Sequence, residues 1–138
     1  MPGAAIQSIH ARQVYTNRGN PGVEATVLCE NGAEGTALCT SGISTGTHEV
    51  RFSFDGGARF NGKGVMGAVH NVNTIIAPAM RGINAADQTA ADRALLSIVP
   101  EAKIKLGGNA IAAVSAAILK AGAKALGIPL YRHVGGVR

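Results

Sequence analysis

The chain has 138 residues, of which 46% are apolar and 4% aromatic, and a formal net charge of +5 at pH 7; this length is enough for one domain with its own core. The positive charge is not interleaved with aromatic stacking residues or a nucleic-acid-binding motif, so we expect no nucleic-acid partner. Because the sequence has no signal-peptide pattern and no run near the ~20 apolar residues that span a bilayer, we expect a cytoplasmic protein with no membrane partner.

The first third of the chain has the pattern of β-strands. In Val23–Cys29, apolar residues alternate with polar ones, which is typical of a strand with one buried face. Asn31-Gly32 favours a two-residue hairpin turn, and a second strand follows at Thr36–Cys39. An earlier segment, Ile6–Tyr15, can supply a third strand. These segments predict a three-stranded antiparallel meander.

The predicted hairpin keeps the two cysteines apart. With a two-residue turn at Asn31-Gly32, Cys29 lies opposite Glu34 and Cys39 lies opposite Glu24. The cysteines are then about five residues apart along the ladder, which is roughly 17 Å, and disulfides require Cα atoms within ~7 Å. We therefore expect two free thiols, in agreement with a reducing compartment.

After residue 64 the apolar residues recur with helical spacing. Val65, Val69, Val72 and Ile76 predict a first helix, and Pro78 is expected to end or kink it because proline lacks an amide hydrogen.

A second helix is predicted with Asn84 as its N-cap and Asp87 in its first turn, and it should stop before Pro100. The third helix has the clearest pattern, and Gly127 followed by Pro129 provides its stop signal. Its apolar stripe consists of Ile111, Val114, Ile118, Ala121 and Ala125. Strands followed by helices predict an α+β fold, a three-stranded antiparallel meander followed by a small helical bundle.

Two patterns that often mark binding sites do not indicate a binding site here. The segment Gly62–Gly67 matches G-x-G-x-x-G, but no apolar strand precedes it and no βαβ unit follows, so we interpret it as a glycine-rich helix start. The histidines His10, His48, His70 and His133 have no metal-ligand spacing, which argues against a zinc site.

The segment Ser41–Glu49 is rich in glycine and hydroxyl side chains and has almost no apolar residue to anchor it. Gly42 and Gly46 permit backbone conformations closed to other residues, and the amide and hydroxyl groups of such a loop can meet an anion or a hard metal ion. The loop has no base and no cluster of carboxylates. We expect a loop that opens and closes and forms one half of a site.

The same loop carries a family resemblance. Thr40–Glu49 resembles the P-S-G-A-S-T-G-x-x-E loop of enolase (phosphopyruvate hydratase). Four more segments resemble enolases in the same order: Tyr15–Glu24, Asn61–Val65, Leu106–Ile111 and Ile128–His133. The resemblance covers nearly the whole chain and is to the N-terminal domain of enolase. In the family a much longer catalytic barrel domain follows, and we expect residues 1–138 to be the N-terminal domain alone.

The resemblance implies a role for the loop. In enolases the serine that aligns with Ser44 lies on a mobile loop that closes over the substrate and ligates the second of two Mg²⁺ ions. Ser41, Gly42 and Thr45 would belong to the same substrate loop. A closing loop can add oxygen ligands to Mg²⁺ and exclude water. The alternative is a flexible surface loop without a ligand. We expect Mg²⁺ only if the chain assembles with a barrel domain, and otherwise no cofactor.

The resemblance also implies contacts with a partner. The segment Asn17–Pro21, together with Glu24, resembles D-S-R-G-N-P-T-V-E, whose arginine and glutamate lie at subunit contacts in the family. Arg18 and Glu24 are therefore candidate contacts to an enolase-type barrel domain or to a second copy of the chain. The alternative is an exposed turn and sheet face. The chain departs from the family at Thr16, Asn17, Gly22, Thr40 and Ile43.

Enolases are glycolytic lyases that interconvert 2-phosphoglycerate and phosphoenolpyruvate. A lysine removes a proton next to a carboxylate, and two Mg²⁺ ions hold the intermediate. In the family the base, the acid and the metal-binding carboxylates all lie on the barrel, so we expect no catalytic residue in this chain. We predict a domain that cannot catalyse alone and serves as a stand-alone interaction or structural module. The alternative is a lid-bearing N-terminal part of a phosphopyruvate hydratase that works with a separate barrel.

Overall fold

The computed structural model describes residues 3–136, so residues 1, 2, 137 and 138 of the predicted domain lie outside it. Three strands come first: β1 (Ile6–Tyr15), β2 (Pro21–Cys29) and β3 (Glu34–Cys39), which pair antiparallel in the order β1-β2-β3. The helices that follow are α1 (Met66–Asn71), a π-helical turn (Val72–Ile76), α2 (Ala77–Met80), α3 (Gln88–Leu96), α4 (Ala102–Leu106), α5 (Gly108–Ala125) and α6 (Leu130–Gly135). The predicted α+β fold is confirmed.

The core lies between the sheet and α5. Val23, Ala25 and Val27 of β2 are fully buried, and the residues between them are half-buried. From the helix side, Val114 and Ile118 of α5 are also fully buried. The alternation of β2 and the stripe of α5 therefore form the two apolar faces that the sequence predicts, and each covers the other.

The turn between β2 and β3 is one residue longer than predicted. The Cys29 amide donates to the Ala33 carbonyl at 2.8 Å, and the Gly32 amide donates to the Cys29 carbonyl at 2.9 Å. The loop is therefore Glu30-Asn31-Gly32, and Gly32 has the left-handed φ of +84° that closes a three-residue hairpin.

This extra residue makes the predicted register wrong by one position. Glu34 pairs with Leu28 rather than with Cys29, and Cys39 pairs with Val23. The prediction of two free cysteines is confirmed, because Cys29 and Cys39 remain at opposite ends of the hairpin.

The helix boundaries differ from the predictions at two places. The first helical stretch continues through Pro78 and ends at Met80, and the π-helical turn Val72–Ile76 comes directly before the proline. A π-turn is where a helix adjusts its hydrogen bonds, as it must at a residue without an amide hydrogen. The N-cap of α3 is Asp87, whose carboxylate accepts the Ala90 amide at 3.0 Å. Asn84, the predicted N-cap, instead accepts the Ala86 amide in the preceding turn.

The start of α1 is capped by a carboxylate. Asp55 accepts the Met66 amide at 2.9 Å and the Gly67 amide at 2.8 Å. These amides belong to the G-x-G-x-x-G segment and are the groups that a phosphate would need. Because the Asp55 side chain already occupies them, the segment is a helix start, as predicted from the sequence.

Gly35 of β3 lets α5 approach the sheet at backbone distance. A Cβ at this position would overlap the backbone of Ala117 and Ala121. Gly122 does the same on another side of α5, where a Cβ would overlap the carbonyl of Ala85. The absence of a side chain at Gly35 and Gly122 thus allows close contacts between backbones.

Two asparagine side chains make hydrogen bonds to the backbone of the kind that a neighbouring strand would make. The Asn73 carboxamide bonds both the amide and the carbonyl of Ala11 in β1, at 2.7 and 3.0 Å. The Asn109 carboxamide does the same with Ser53, at 3.0 and 3.1 Å. Asn109 is 1% exposed and lies in the first turn of α5. It therefore fixes the segment that follows the candidate loop to the main helix of the core.

We predict that Gly35→Ala destabilises the domain by about 1–3 kcal/mol or more, because α5 must move away from β3 to make room for the methyl group. The matched control is Gly135→Ala in α6, where a Cβ would meet nothing within 4 Å, and we expect a change of less than about 0.5 kcal/mol. Urea unfolding followed by circular dichroism measures both. Equal stability of the two variants would contradict the close packing of α5 on Gly35.

We predict that Asn109→Ala costs about 1–3 kcal/mol, because it leaves the amide and carbonyl of Ser53 without their partners. The control is Asn17→Ala, whose side chain is exposed and makes no hydrogen bond within residues 3–136. Hydrogen exchange should show faster exchange of the Ser53 amide in Asn109→Ala only. Unchanged exchange at Ser53 would show that this residue is held by other contacts.

Candidate functional site

The candidate site is the loop that connects β3 to the irregular segment before α1. Every residue from Gly42 to Glu49 is exposed, and Ile43, the one apolar residue among them, is 89% exposed. Ser41 is half-buried at the start of the loop. The loop therefore has no apolar anchor of its own, as the sequence predicts.

The second half of the loop is closed by Glu49. Its carboxylate accepts the Gly46 amide at 2.9 Å, and its own amide donates to the Gly46 carbonyl at 3.1 Å. By contrast, the predicted substrate-loop residues make no hydrogen bond within residues 3–136. These residues are Ser41, Gly42, Ser44 and Thr45. Their hydroxyl and amide groups are free to bind another molecule.

The loop borders a surface depression of about 400 Å³. Ser41, Gly42 and Thr45 line it together with the post-loop segment, by which we mean Glu49–Phe54. Ser44 is not among the lining residues. The structure thus brings three of the four predicted loop residues to one depression and leaves Ser44 outside it in this conformation.

The chemistry available at this depression is hydrogen bonding and charge rather than proton abstraction. The hydroxyls of Ser41 and Thr45 and the guanidinium of Arg51 can bind an anion. The carboxylate present, that of Glu49, is already held by Gly46. Nothing in the arrangement provides a base beside a free acid.

The loop alone does not fit a Mg²⁺ site. Mg²⁺ demands near-octahedral oxygen coordination and is usually held through one or two carboxylates. Ser44 offers one exposed hydroxyl, and Glu49 is directed to Gly46. Within residues 3–136 no group of three or more His, Cys, Asp and Glu side chains is placed to hold a metal ion.

Cys39 lies at the point where β3 ends and the loop begins. Burial raises the pKa of its thiol, and the negative charge of Glu49 raises it further. Burial alone raises the pKa of Cys29. Both thiols are therefore less nucleophilic than a free cysteine at neutral pH, which is typical of structural residues.

The predicted interface residues lie at the same end of the sheet as the loop. Arg18 is exposed in the turn between β1 and β2, and the pairing of Val23 with Cys39 places the start of β2 beside the end of β3. Glu24 follows Val23 and forms an ion pair at 2.7 Å with Arg12 of β1. No local sequence pattern signals Arg12, because the pair follows from the β1–β2 register, in which Arg12 and Glu24 are opposite.

The sheet also explains one departure from the enolase pattern. Gly22 is buried, and a Cβ there would lie 2.8 Å from the carbonyl of Cys39 and 2.9 Å from the side chain of Thr16. The methyl group of Thr16 thus occupies space that a larger residue at position 22 would need. The carbonyl of Cys39 is the nearest of these atoms, so the neighbouring strand itself leaves no room for a side chain at position 22.

No helix of residues 3–136 is long and apolar enough to cross a membrane. A family model described as "Enolase, N-terminal domain" matches residues 6–134. This match begins at the start of β1, ends within α6, and includes the loop, the turn at Arg18 and the hydrogen bonds between Asn109 and Ser53. The chain therefore belongs to the enolase N-terminal domain family.

Proposed function

We propose that this domain does not catalyse a reaction alone and acts as an interaction module that docks onto another protein. The proposal is supported by the hydrogen bonds and the ion pair that most carboxylates of the domain already form. The family reaction requires free carboxylates to hold two Mg²⁺ ions beside a lysine base. Within residues 3–136, most acidic groups are bonded inside the fold and the others do not come together in a group that could hold a metal ion.

Five of the eight acidic side chains have structural partners. Asp55 caps α1 and Asp87 caps α3. Glu49 closes the loop, and Glu24 pairs with Arg12. The fifth is Asp92 of α3, which accepts a hydrogen bond from Ser115 of α5 at 2.7 Å.

The remaining three acidic residues do not form a cluster with them. Glu30 and Glu34 are exposed on the β2–β3 hairpin, and Glu101 is exposed just before α4. A metal cage for the family reaction must therefore come from another domain. This supports a role in binding for the domain itself.

We predict that the purified chain, in buffer with Mg²⁺, converts 2-phosphoglycerate to phosphoenolpyruvate no faster than the buffer blank. The product is followed by its ultraviolet absorbance. A complete enolase serves as the positive control, and a mock purification reports contaminating enzyme. Conversion that scales with the concentration of the chain through successive purification steps would overturn the proposal.

A second candidate function is that of a lid on an enolase-type barrel. It is favoured by the loop, whose first half presents unbonded hydroxyls while its second half is preformed by the bond between Glu49 and Gly46. In this function Ser44 would add a hydroxyl ligand to a Mg²⁺ site whose carboxylates belong to the barrel. Arg18 and Glu24 would contact the barrel or a second copy of the chain.

The lid function predicts that the chain restores activity to an enolase barrel lacking its own N-terminal domain. Ser44→Ala should lower the restored rate at least about tenfold, because one metal ligand is lost. The control is Ser97→Ala, a serine exposed at the end of α3, which should leave the rate unchanged. Equal rates for both variants would reject Ser44 as a ligand, and no rescue by the unmodified chain would reject the lid function.

A further inference from the structure

The two edges of the sheet differ in how their backbone groups are bonded. At the β1 edge, the Asn73 carboxamide bonds both the amide and the carbonyl of Ala11. Further along β1, the Ile6 amide donates to the Ile83 carbonyl at 2.8 Å, and the Ile6 carbonyl accepts the Gly82 amide at 2.8 Å. At these positions the helical side of the domain already takes the place that another strand would need.

The ladder between β2 and β3 determines which backbone groups of β3 face outward. In an antiparallel ladder, hydrogen-bonded and non-hydrogen-bonded residue pairs alternate. The Cys29 amide donates to the Ala33 carbonyl directly before β3, so this pair is a hydrogen-bonded one. Because the register continues without a shift, Glu34 and every second residue after it belong to non-hydrogen-bonded pairs. The amides and carbonyls of Glu34, Thr36 and Leu38 therefore point away from β2, to the outer edge of β3.

A single side chain bonds to this outer edge. The Thr36 carbonyl accepts a hydrogen bond from Nζ of Lys120 in α5 at 2.9 Å, as expected for a group that points away from β2. The other outward amides and carbonyls of β3 have no hydrogen-bond partner within residues 3–136. The side chains of Glu34, Thr36, Leu38 and Lys120 are all exposed. A row of unpaired backbone groups is a template for another strand, and lysine is a residue that proteins use to protect such an edge.

The outward groups of β3 have the repeat of an extended backbone. They recur at every second residue, which is a spacing of about 6.8 Å along a strand. Each of these residues offers one donor and one acceptor side by side, and the amide and carbonyl of an extended chain match this arrangement. The chemistry of the edge therefore indicates a strand as its partner rather than an ion or an apolar surface.

We propose that the outer edge of β3 binds an extended segment of another protein, which joins the sheet as a fourth strand. We call it the β3 edge and define it by the backbone of residues 34–38. An amide of the segment takes the Thr36 carbonyl, and the ammonium group of Lys120 moves into solvent. Lys120 thus competes with the partner for this carbonyl. This inference rests on the proposed interaction function and specifies the partner of the domain.

The position of α5 favours an extended segment over a second copy of the domain. Gly35 rests on the backbone of Ala117 and Ala121, so α5 runs directly beneath β3. In an antiparallel pair of two β3 edges, both α5 helices would lie on the same face of the sheet. Neighbouring strands are about 4.7–4.9 Å apart, whereas the axes of packed helices are about 8–10 Å apart. The two helices would overlap, and a segment that has no helix beneath it avoids this overlap.

Fluorescence anisotropy tests the inference with a short, labelled and end-capped peptide of alternating threonine and valine, which favour an extended strand. The probe is N-methylated at every second residue, so that one edge keeps its amides and the peptide does not stack on itself. The control has the same side chains and is N-methylated at every residue, which removes all its amide donors. We expect the probe to bind and the control not to bind. Equal binding of both peptides, or no binding of the probe, would overturn the proposal.

Hydrogen exchange measured by NMR locates the bound peptide. In the free domain, the outward amides of Thr36 and Leu38 should exchange faster than those of Gly35 and Ala37, which point to β2. The probe should slow the exchange of Thr36 and Leu38 and leave Gly35 and Ala37 unchanged. Protection of amides elsewhere, without protection of Thr36 and Leu38, would reject the β3 edge as the binding site.

A pair of lysine variants tests the competition at Thr36. Lys120→Ala should tighten binding of the probe about three- to tenfold, because the Thr36 carbonyl no longer has to give up a hydrogen bond. The control is Lys124→Ala, at a second exposed lysine of α5, which should leave the affinity unchanged. Circular dichroism checks that both variants are folded. Equal or weaker binding by Lys120→Ala would reject the displacement of Lys120 by the partner.

These outcomes are distinct from a failure of the proposed function, which is measured by conversion of 2-phosphoglycerate without any peptide. A chain that does not bind the probe and is also inactive would leave the interaction function standing and remove the β3 edge as its site. A chain that converts 2-phosphoglycerate would reject the proposed function whatever the probe does.

Discussion

The close packing of α5 on the sheet is the constraint on which the rest of the structure depends. Because Gly35 has no side chain, the helix backbone rests directly on β3, and Gly122 allows the chain before α3 to approach the same helix. The position of α5 in turn sets the position of Asn109 at its first turn. That carboxamide fixes Ser53, which lies beyond the candidate loop. The packing of Gly35 on α5 and the hydrogen bonds of Asn109 with Ser53 thus connect the sheet to the end of the loop.

The loop is consequently attached at two fixed points and free between them. At one end Cys39 belongs to the sheet and pairs with Val23, and at the other end Ser53 is fixed to α5. Between them, Glu49 closes one turn while the hydroxyls around Ser44 remain in solvent. A loop attached in this way can change shape without disturbing the core, because one end belongs to the sheet and the other is bonded to the buried Asn109. The domain can therefore present the loop to a partner at little cost in stability.

Strands and helices with a regular apolar pattern could be predicted from the sequence. Features that depend on contacts between residues distant along the chain could not. The stripe of α5 and the alternation of β2 are regular, so both elements were predicted correctly. The β2–β3 register was wrong because Asn31-Gly32 fits a two-residue turn as well as the last two positions of a three-residue one. The helix α4 was missed because five residues are too few for a periodic pattern. The bond between Asn109 and Ser53 joins residues 56 positions apart, and no local pattern signals it.

The same distinction applies to charge. The sequence gives the number of carboxylates, but only the fold tells which of them are free. Asp55 and Asp87 serve helix starts, where the unpaired amides of the first turn favour an anion, so their negative charge is compensated inside the domain. The exposed lysines of α4 form no ion pair within residues 3–136, and the exposed carboxylate of Glu101 precedes the same helix. Of the eight carboxylates, those of Glu30, Glu34 and Glu101 are exposed and form no ion pair within residues 3–136, so these three are the ones that remain for contacts with another molecule.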